Sequence, residues 1–457
     1  MERLYLRNLL SWLEKPKRKP LIMRGARQVG KTWLVRQLAK KSGMELIELN
    51  FEKNPELIKL FNTNDVKQIL RLLETSTFWG KRIIPGKHLL FLDEIQVYPE
   101  LLAKLRWFAE DMPELAVIAA GSLLEFVLAK HEFSMPVGRI EYFYIEPMSF
   151  IEFLLALGHA QLVDFLQQYR LNINMPDLLH QQLNDLFRQY IHVGGMPEAV
   201  STWIEQDSLI EVNKIQHNLI NTYRDDFAKY AGRIDIQRLD EILRAIPSLL
   251  GKKFKYSQVN QHIQAQSLKN ALSLLEKAQL CTLVKQSAAT GLPLNTHDKQ
   301  RGFKVILVDI GLVNSLQGFT WDAKQDIEQV ILNNEGAIAE QVAGQLLLRL
   351  LPDYQEPKLY YWLREDSSSN AEIDYVIQYH NKIIPIEVKA GHTGTLRSLH
   401  NFVHLRKTPL AVRFNTDLPS LTAVNTLLYN REQVQYSLLS IPLYLIECLP
   451  NLLAEAD

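Results

Sequence analysis

The chain has only two cysteines in 457 residues, Cys281 and Cys448. Two thiols so far apart make neither a disulfide framework nor a ligand cluster, and this usage fits a reducing compartment. Long apolar runs are also missing. No eighteen-residue window is both strongly apolar and free of charge, and the start has Arg3 and Arg7 but no sustained apolar stretch. Neither a membrane span nor a signal peptide is expected, and the expected location is cytoplasmic. Net charge is absent as well, with 51 basic against 51 acidic residues, so no field of one sign surrounds the whole molecule. Internal repeats are lacking. The one low-complexity spot, Ser367 to Asn370, reads as a loop.

What remains is an ordinary globular composition, 47% apolar and 22% charged, long enough for roughly two to four domains. Its charge is unevenly placed. Residues 1–41 hold twelve Lys/Arg against two Glu, and residues 251–305 hold nine against Glu276 and Asp298. Such segments are either local anion-binding faces or solvated surface lysines.

Residues 25–32 read Gly25-Ala26-Arg27-Gln28-Val29-Gly30-Lys31-Thr32, a complete phosphate-binding loop. The glycines let successive backbone N–H groups turn toward one anion. Lys31 adds a cation for the β/γ-phosphates, and Thr32 supplies a hydroxyl for Mg²⁺. Leu21-Ile22-Met23 enters the loop as a short apolar strand. Lys31 to Lys41 leaves it as a helix, with Leu34, Val35 and Leu38 on one face. The phosphates of ATP would then lie at a helix N-terminus, which favours anions.

The first third alternates strand and helix signals, with strands expected at 21–24, 45–51, 88–93, 115–120 and 141–146 and a helix at 99–110. This pattern predicts a parallel sheet covered on both faces, with ligands at the carboxyl ends of its strands. Residues 147–232 read as helical, interrupted at Gly194-Gly195-Met196-Pro197. A helix around Ile242 to Leu250 stops at Gly251, two more are expected at Ser257–Gln264 and Ser267–Ala278, and a strand follows at 280–284. Three short helices and a strand resemble a winged helix-turn-helix. Strands at 303–308, 372–378 and 383–389 and a helix at 333–350 complete a mixed α/β domain.

A phosphate loop needs a carboxylate for its metal. His88-Leu89-Leu90-Phe91-Leu92-Asp93-Glu94 supplies one at the end of a strand apolar enough to be buried on both faces. Asp93 would hold Mg²⁺ through water, and Glu94, one residue on, would polarise the attacking water. Ser122, after the next strand, would either touch the γ-phosphate or cap a helix. Arg139, just before the strand at 141, would either stabilise transition-state charge, in its own subunit or a neighbour's, or form a surface ion pair.

The loop GARQVGKT, the strand LLFLDE, the segment running from Gly138-Arg139 to PMSFIEF, and the motif GGMP together resemble a prokaryotic AAA-type ATPase family. That family is related to the STAND and archaeal-type ATPases and carries a C-terminal domain of uncharacterised function. The resemblance covers nearly the whole chain. It implies an arginine-finger role for Arg139 and a helical-lid motif, packed near the base, at Gly195 and Pro197. An Asn often stands in such proteins where Ser122 stands here, and this departure bears on its sensor role.

Near the C-terminus, Glu372 to Ile377 and Ile383 to Lys389 read as a hairpin around His380-Asn381. Ile384, Ile386 and Val388 share one face, and Glu387 and Lys389 the other. A two-residue turn sets residue 379 against 382 and so Asp374 against Glu387. Two carboxylates across a ladder repel unless a divalent cation lies between them. The pattern Asp…Glu-x-Lys resembles the PD-(D/E)xK nuclease-like fold, which implies catalytic roles for Asp374, Glu387 and Lys389 and makes Glu340, on the preceding helix, the third acid of a metal set. Ile373 stands where that family places Pro, and degenerate members keep the fold without cutting.

The expected fold class is α/β: a P-loop NTPase parallel sheet (1–150) with a helical lid (151–232), a winged helix-turn-helix (233–295) and a restriction-endonuclease-like domain (296–457). The leading functional expectation is a Mg²⁺-dependent ATPase coupled to a DNA-associated, nuclease-like domain, with Lys252, Lys253, Lys255 and Lys269 meeting phosphates. The alternative is a slow ATP switch that docks protein, in which the nuclease-like domain is inactive. A homo-oligomer fits either. A metabolite kinase lacks support, because no acceptor-binding signature follows the loop.

Overall fold

A computed structural model describes residues 2–121, 136–230, 235–294, 298–318, 324–365, 370–389, 396–428 and 431–456. The first sheet holds β1 (Leu21–Arg24), β2 (Glu45–Asn50), β3 (His88–Asp93), β4 (Ala116–Ala120) and β5 (Glu141–Tyr144) in the order β2-β3-β4-β1-β5. All four pairings are parallel. The strands fall almost where the apolar runs predict, because a central parallel strand must be apolar on both faces. All six residues of β3 are buried. Leu89 and Phe91 enter one core and Leu90 and Leu92 the other, as a two-residue period requires.

Five helices follow, from Phe150–Ala156 to Leu209–Tyr230. The first opens on a capping box, in which the Ser149 hydroxyl accepts from Glu152 N–H and the Glu152 carboxylate accepts from Ser149 N–H. Gly194 ends the helix Asp177–Val193, and Pro197 starts the next at its first position, where the missing N–H costs nothing.

The region 235–294 begins with three helices, Ile236–Leu249, Tyr256–Val259 and Ala265–Lys277. The middle one is shorter than expected. The Asn260 side chain accepts from His262 N–H at 3.0 Å and turns the chain out of helix. The strands that follow do not stand apart as a wing. β6 (Cys281–Ser287) and β7 (Asp298–Leu307) form a hairpin whose β6 edge pairs in parallel with β8 (Leu359–Glu365). They extend a sheet of order β12-β13-β11-β10-β9-β8-β6-β7. Its other members are β9 (Asn370–Tyr379), β10 (Lys382–Val388), β11 (Leu410–Asn415), β12 (Ser420–Leu427) and β13 (Gln433–Pro442). The β6–β7 ladder joins residues on either side of the division expected at 295/296, which itself lies outside the described residues.

The β9–β10 hairpin has the expected register, Tyr379 opposite Lys382 and Tyr375 opposite Ile386. His380 takes the left-handed φ of 50° that a tight two-residue turn requires. One apolar core runs from Leu9 through Phe150 and Ile246 to Leu452, so the N-terminal and C-terminal halves pack as one unit.

Candidate functional site

The phosphate loop is pinned from outside. Gly25 has φ 156°, and a Cβ there would collide with the Ile145 carbonyl. Gly30 has φ 93°. Four loop carbonyls accept hydrogen bonds: Gly25 and Ala26 from Lys31 Nζ at 2.9 and 2.8 Å, Arg27 from the Tyr223 hydroxyl at 3.0 Å, and Val29 from Arg3 Nη1 at 2.7 Å. The Arg27 and Val29 carbonyls, held by residues outside the loop, leave peptide N–H groups for an anion inside it. Gln28 adds a left-handed φ of 67°. Arg27 is drawn away from the loop into a pair with Asp226, at 2.5 and 2.6 Å.

Lys31 is buried, and among the described residues its hydrogen bonds are to neutral main-chain oxygens. Burial pushes its ammonium down to about 8, with Glu94 and Asp93 pulling weakly the other way. The Thr32 hydroxyl lies 3.3 Å from Asp93 Oδ2, and Asn50, at the end of β2, donates to the same oxygen at 3.1 Å. Burial raises the Asp93 carboxyl to about 6, and the neighbouring Glu94 adds to the rise. A hydroxyl and a carboxylate this close, beside a phosphate loop, are a donor set that fits a hard divalent cation. Glu94 has a left-handed φ of 54° and accepts a short hydrogen bond from Gln96 Nε2. The predicted residues of the loop, with Asp93 and Glu94, therefore gather at the carboxyl edge of the sheet.

Arg139 does not join them. It precedes β5, and Glu141 of β5 pairs with Leu21, the first residue of β1. Arg139 thus lies at the amino edge, more than about 10 Å from the loop that follows β1's last residue. There it pairs with Glu110 at 2.7 Å. Ser122 lies outside the described residues.

Sequence reasoning missed the contacts behind the loop. Arg3 donates to Val29 O and, at 2.6 Å, to Glu146 O, and its Nε lies 3.2 Å from Glu152. Glu152 also faces Arg349, at 3.4 Å, from the helix Lys324–Arg349. The Arg349 guanidinium lies 4.0 Å from the centre of the Tyr5 ring. Arg3, Glu152 and Arg349 are all nearly inaccessible, so the chain of charges runs through the interior. The Gly-Gly-Met-Pro motif makes a second link. Gly195 N–H donates to Asp309 at 2.6 Å, and Pro197 packs on the Gly30 side of the loop. Only an early arginine and a glutamate in a capping box hinted at these contacts.

The C-terminal constellation assembles, with an addition. Lys304 on β7 is 1% exposed. Its ammonium lies 2.7 Å from Glu340, in a short contact with Glu372, and 3.6 Å from Asp374. Burial alone would lower this ammonium, but the carboxylates of Glu340, Asp374 and Glu372 outweigh it and push it up. Asp374 Oδ2 accepts from Val388 N–H at 2.8 Å. Lys389 pairs with Glu387 at 2.5 Å, and Glu387 Oε2 has no hydrogen-bond partner among the described residues. Burial raises both Glu340 and Glu387. Among the described residues, no three His, Cys, Asp or Glu side chains form a group that could hold a metal. Beside this cluster, Lys252, Lys253 and Lys255 line a cleft of about 450 Å³ together with Glu372. Alternation in β9 puts Glu372 and Asp374 on one face, a signal present in the sequence. Lys304 lies in the strand expected at 303–308, where nothing in the sequence singled it out.

An AAA domain model matches residues 17–154, and models of two domains of unknown function, DUF8612 and DUF4143, match residues 184–323 and 335–440. The chain is similar to the solved ORC2 protein of Aeropyrum pernix in its ADPNP–ADP complexes, at 14% identity over 72% of this chain and 92% of that one, with a TM-score of 0.35. It is also similar to the Thermotoga maritima RuvB Holliday junction branch migration motor, at 16% identity over 63% and 90%, with a TM-score of 0.30. Comparison with curated proteins gives no match. No helix among the described residues is long and apolar enough to cross a membrane. Residues 17–154, which hold the phosphate loop, Asp93 and Glu94, match an AAA domain, and that match supports ATP binding and hydrolysis by this module.

Proposed function

We propose that the chain uses ATP binding and hydrolysis to change how its C-terminal domain engages DNA. The observation that carries this reading is the buried path from the loop outward: Val29 O to Arg3, Arg3 to Glu152, Glu152 to Arg349. Movement of the loop around a phosphate must shift Arg3. Arg3 cannot shift alone, because an unpaired buried charge is costly. The helix carrying Arg349 also carries Glu340, so the path ends in the element that lines the C-terminal cluster.

At the nucleotide, the loop N–H groups and Lys31 hold the phosphates. Thr32 and Asp93 would hold Mg²⁺, which supplies positive charge against the β- and γ-oxygens. Glu94 takes the proton of the attacking water once Gln96 releases it. In this reading Arg139 serves a nucleotide held by a neighbouring copy, a role that its exposure at the amino edge supports. Lys31→Ala and Arg139→Ala proteins, each inactive, should then regain turnover when mixed. Mixtures no more active than the sum of their parts would remove the trans assignment.

The DNA part rests on the lysine-lined cleft beside Glu372. Electrophoretic binding at rising salt, with and without ATP, tests it. Binding that is absent at low salt would overturn it. A second reading, a slow switch whose nuclease-like domain does not cut, is favoured by one observation, the ammonium of Lys304 lodged among the acids.

A further inference from the structure

We propose that Lys304 is the built-in cation of the C-terminal cluster, its ammonium taking the place that a divalent metal would hold, so that this domain engages its target without metal-dependent cleavage.

The geometry leaves a metal few oxygens. Lys304 Nζ draws on Glu340, Glu372 and Asp374 together. The second Asp374 oxygen is committed to the Val388 N–H, and one Glu387 oxygen to Lys389. Among the described residues Glu387 Oε2 is a buried acceptor with no hydrogen-bond partner, and a hard divalent cation wants about six oxygens. The ammonium cannot swing aside easily. Its side chain is 1% exposed, and Nζ lies 5.4 Å from the centre of the Tyr361 ring. Leaving would strand three carboxylates around an empty centre, and a divalent ion arriving beside a resident ammonium meets like charge.

A cleaving site needs its cation to be labile and shared with the phosphodiester. A lysine tethered to β7 is neither. What it does supply is a fixed shape. It holds Glu372, on the wall of the lysine-lined cleft, and Glu340, on the helix that carries Arg349, in one cluster.

This inference concerns the same domain as the DNA reading but does not depend on it. Loss of DNA binding in the electrophoretic assay would leave a metal titration untouched.

The test is Mn²⁺ uptake by the full chain without nucleotide, read from the electron paramagnetic resonance of free Mn²⁺. The proteins are the wild type, Asp374→Asn, Lys304→Met, and Lys304→Met combined with Asp374→Asn. Uptake by the wild type should not change on Asp374→Asn. Lys304→Met should gain a Mn²⁺ ion, bound at least about tenfold tighter once the like charge is gone, and the double variant should lose it. A wild-type ion that Asp374→Asn removes would overturn the proposal, as would a folded Lys304→Met that gains nothing. If Lys304→Met does not fold, plasmid cleavage decides. The wild type in Mn²⁺ should leave supercoiled DNA intact, and cutting abolished by Asp374→Asn would overturn the proposal.

Discussion

Lys31 and Lys304 are the two buried lysines among the described residues, and they are solved in opposite ways. Lys31 rests on two neutral carbonyls, and burial lowers its ammonium to about 8. Lys304 sits among three carboxylates, which push its ammonium up. A buried cation with only dipoles around it invites an anion. A buried cation already neutralised invites nothing and acts as a rivet. One site is built to receive a ligand and the other is already filled, although both lysines have their acidic neighbours far away in the sequence.

The sharpest way to break the comparison is Lys304→Met. Removing one partner of a buried ionic cluster leaves uncompensated carboxylates and should cost about 3–5 kcal/mol of stability, read by urea unfolding, with ATP affinity unchanged. A loss well under 1 kcal/mol would mean the cluster is solvated and the rivet idea wrong.

Glu152→Gln attacks the link between the two regions. It strands Arg3 and Arg349 without their shared carboxylate and should cost roughly 3 kcal/mol. It should also loosen the loop through Val29 and so raise KM for ATP. A destabilised protein with ordinary ATP kinetics would separate the ion network from the nucleotide site.

Lys31→Ala gives the converse of Lys304→Met. ATP affinity should fall by about 2–4 kcal/mol, roughly 30- to 1000-fold, measured by calorimetry. Unfolding of the nucleotide-free protein should be no easier, because the lost charge had no counter-charge there. A marked fall in stability would show that Lys31 is a structural residue first.

What the sequence allowed one to read follows the same divide. β1, β3 and β4 were legible because parallel strands covered on both faces are spelled in consecutive apolar residues, as Leu89 to Leu92 are. The loop was legible because it is local, eight residues in one order. The pairing of Asp374 toward Glu387 was legible because a two-residue turn fixes register. The pieces that could not be read are joined across long separations. Lys304 meets Glu340 and Glu372, Arg3 meets Val29 and Glu152, and β6 meets β8. No periodicity within one strand announces these partners. The amino-edge position of Arg139 is of the same kind, because it depends on β5 lying parallel beside β1.

Smallest per step of the measurement, and the most direct comparison of the two lysines, is the dependence of stability on pH. Lys31 has a folded value of about 8 against an ordinary 10.5. Between those values the unfolded chain binds more protons than the folded one, so this lysine makes stability rise with pH from about 8 to 10.5, by at most about 1.4 kcal/mol per unit. Lys304 has a raised folded value. Its contribution is fully present below 10.5 and is lost only as pH climbs beyond that. Unfolding of the nucleotide-free protein across pH 8 to 10 should therefore show a rising component that Lys31→Met removes and Lys304→Met keeps. ATP affinity should run the other way and weaken above pH 8, since the phosphates want the charged form. If both variants keep the rising component, Lys31 is not the group that titrates, and the contrast between a waiting cation and a filled one loses its electrostatic basis.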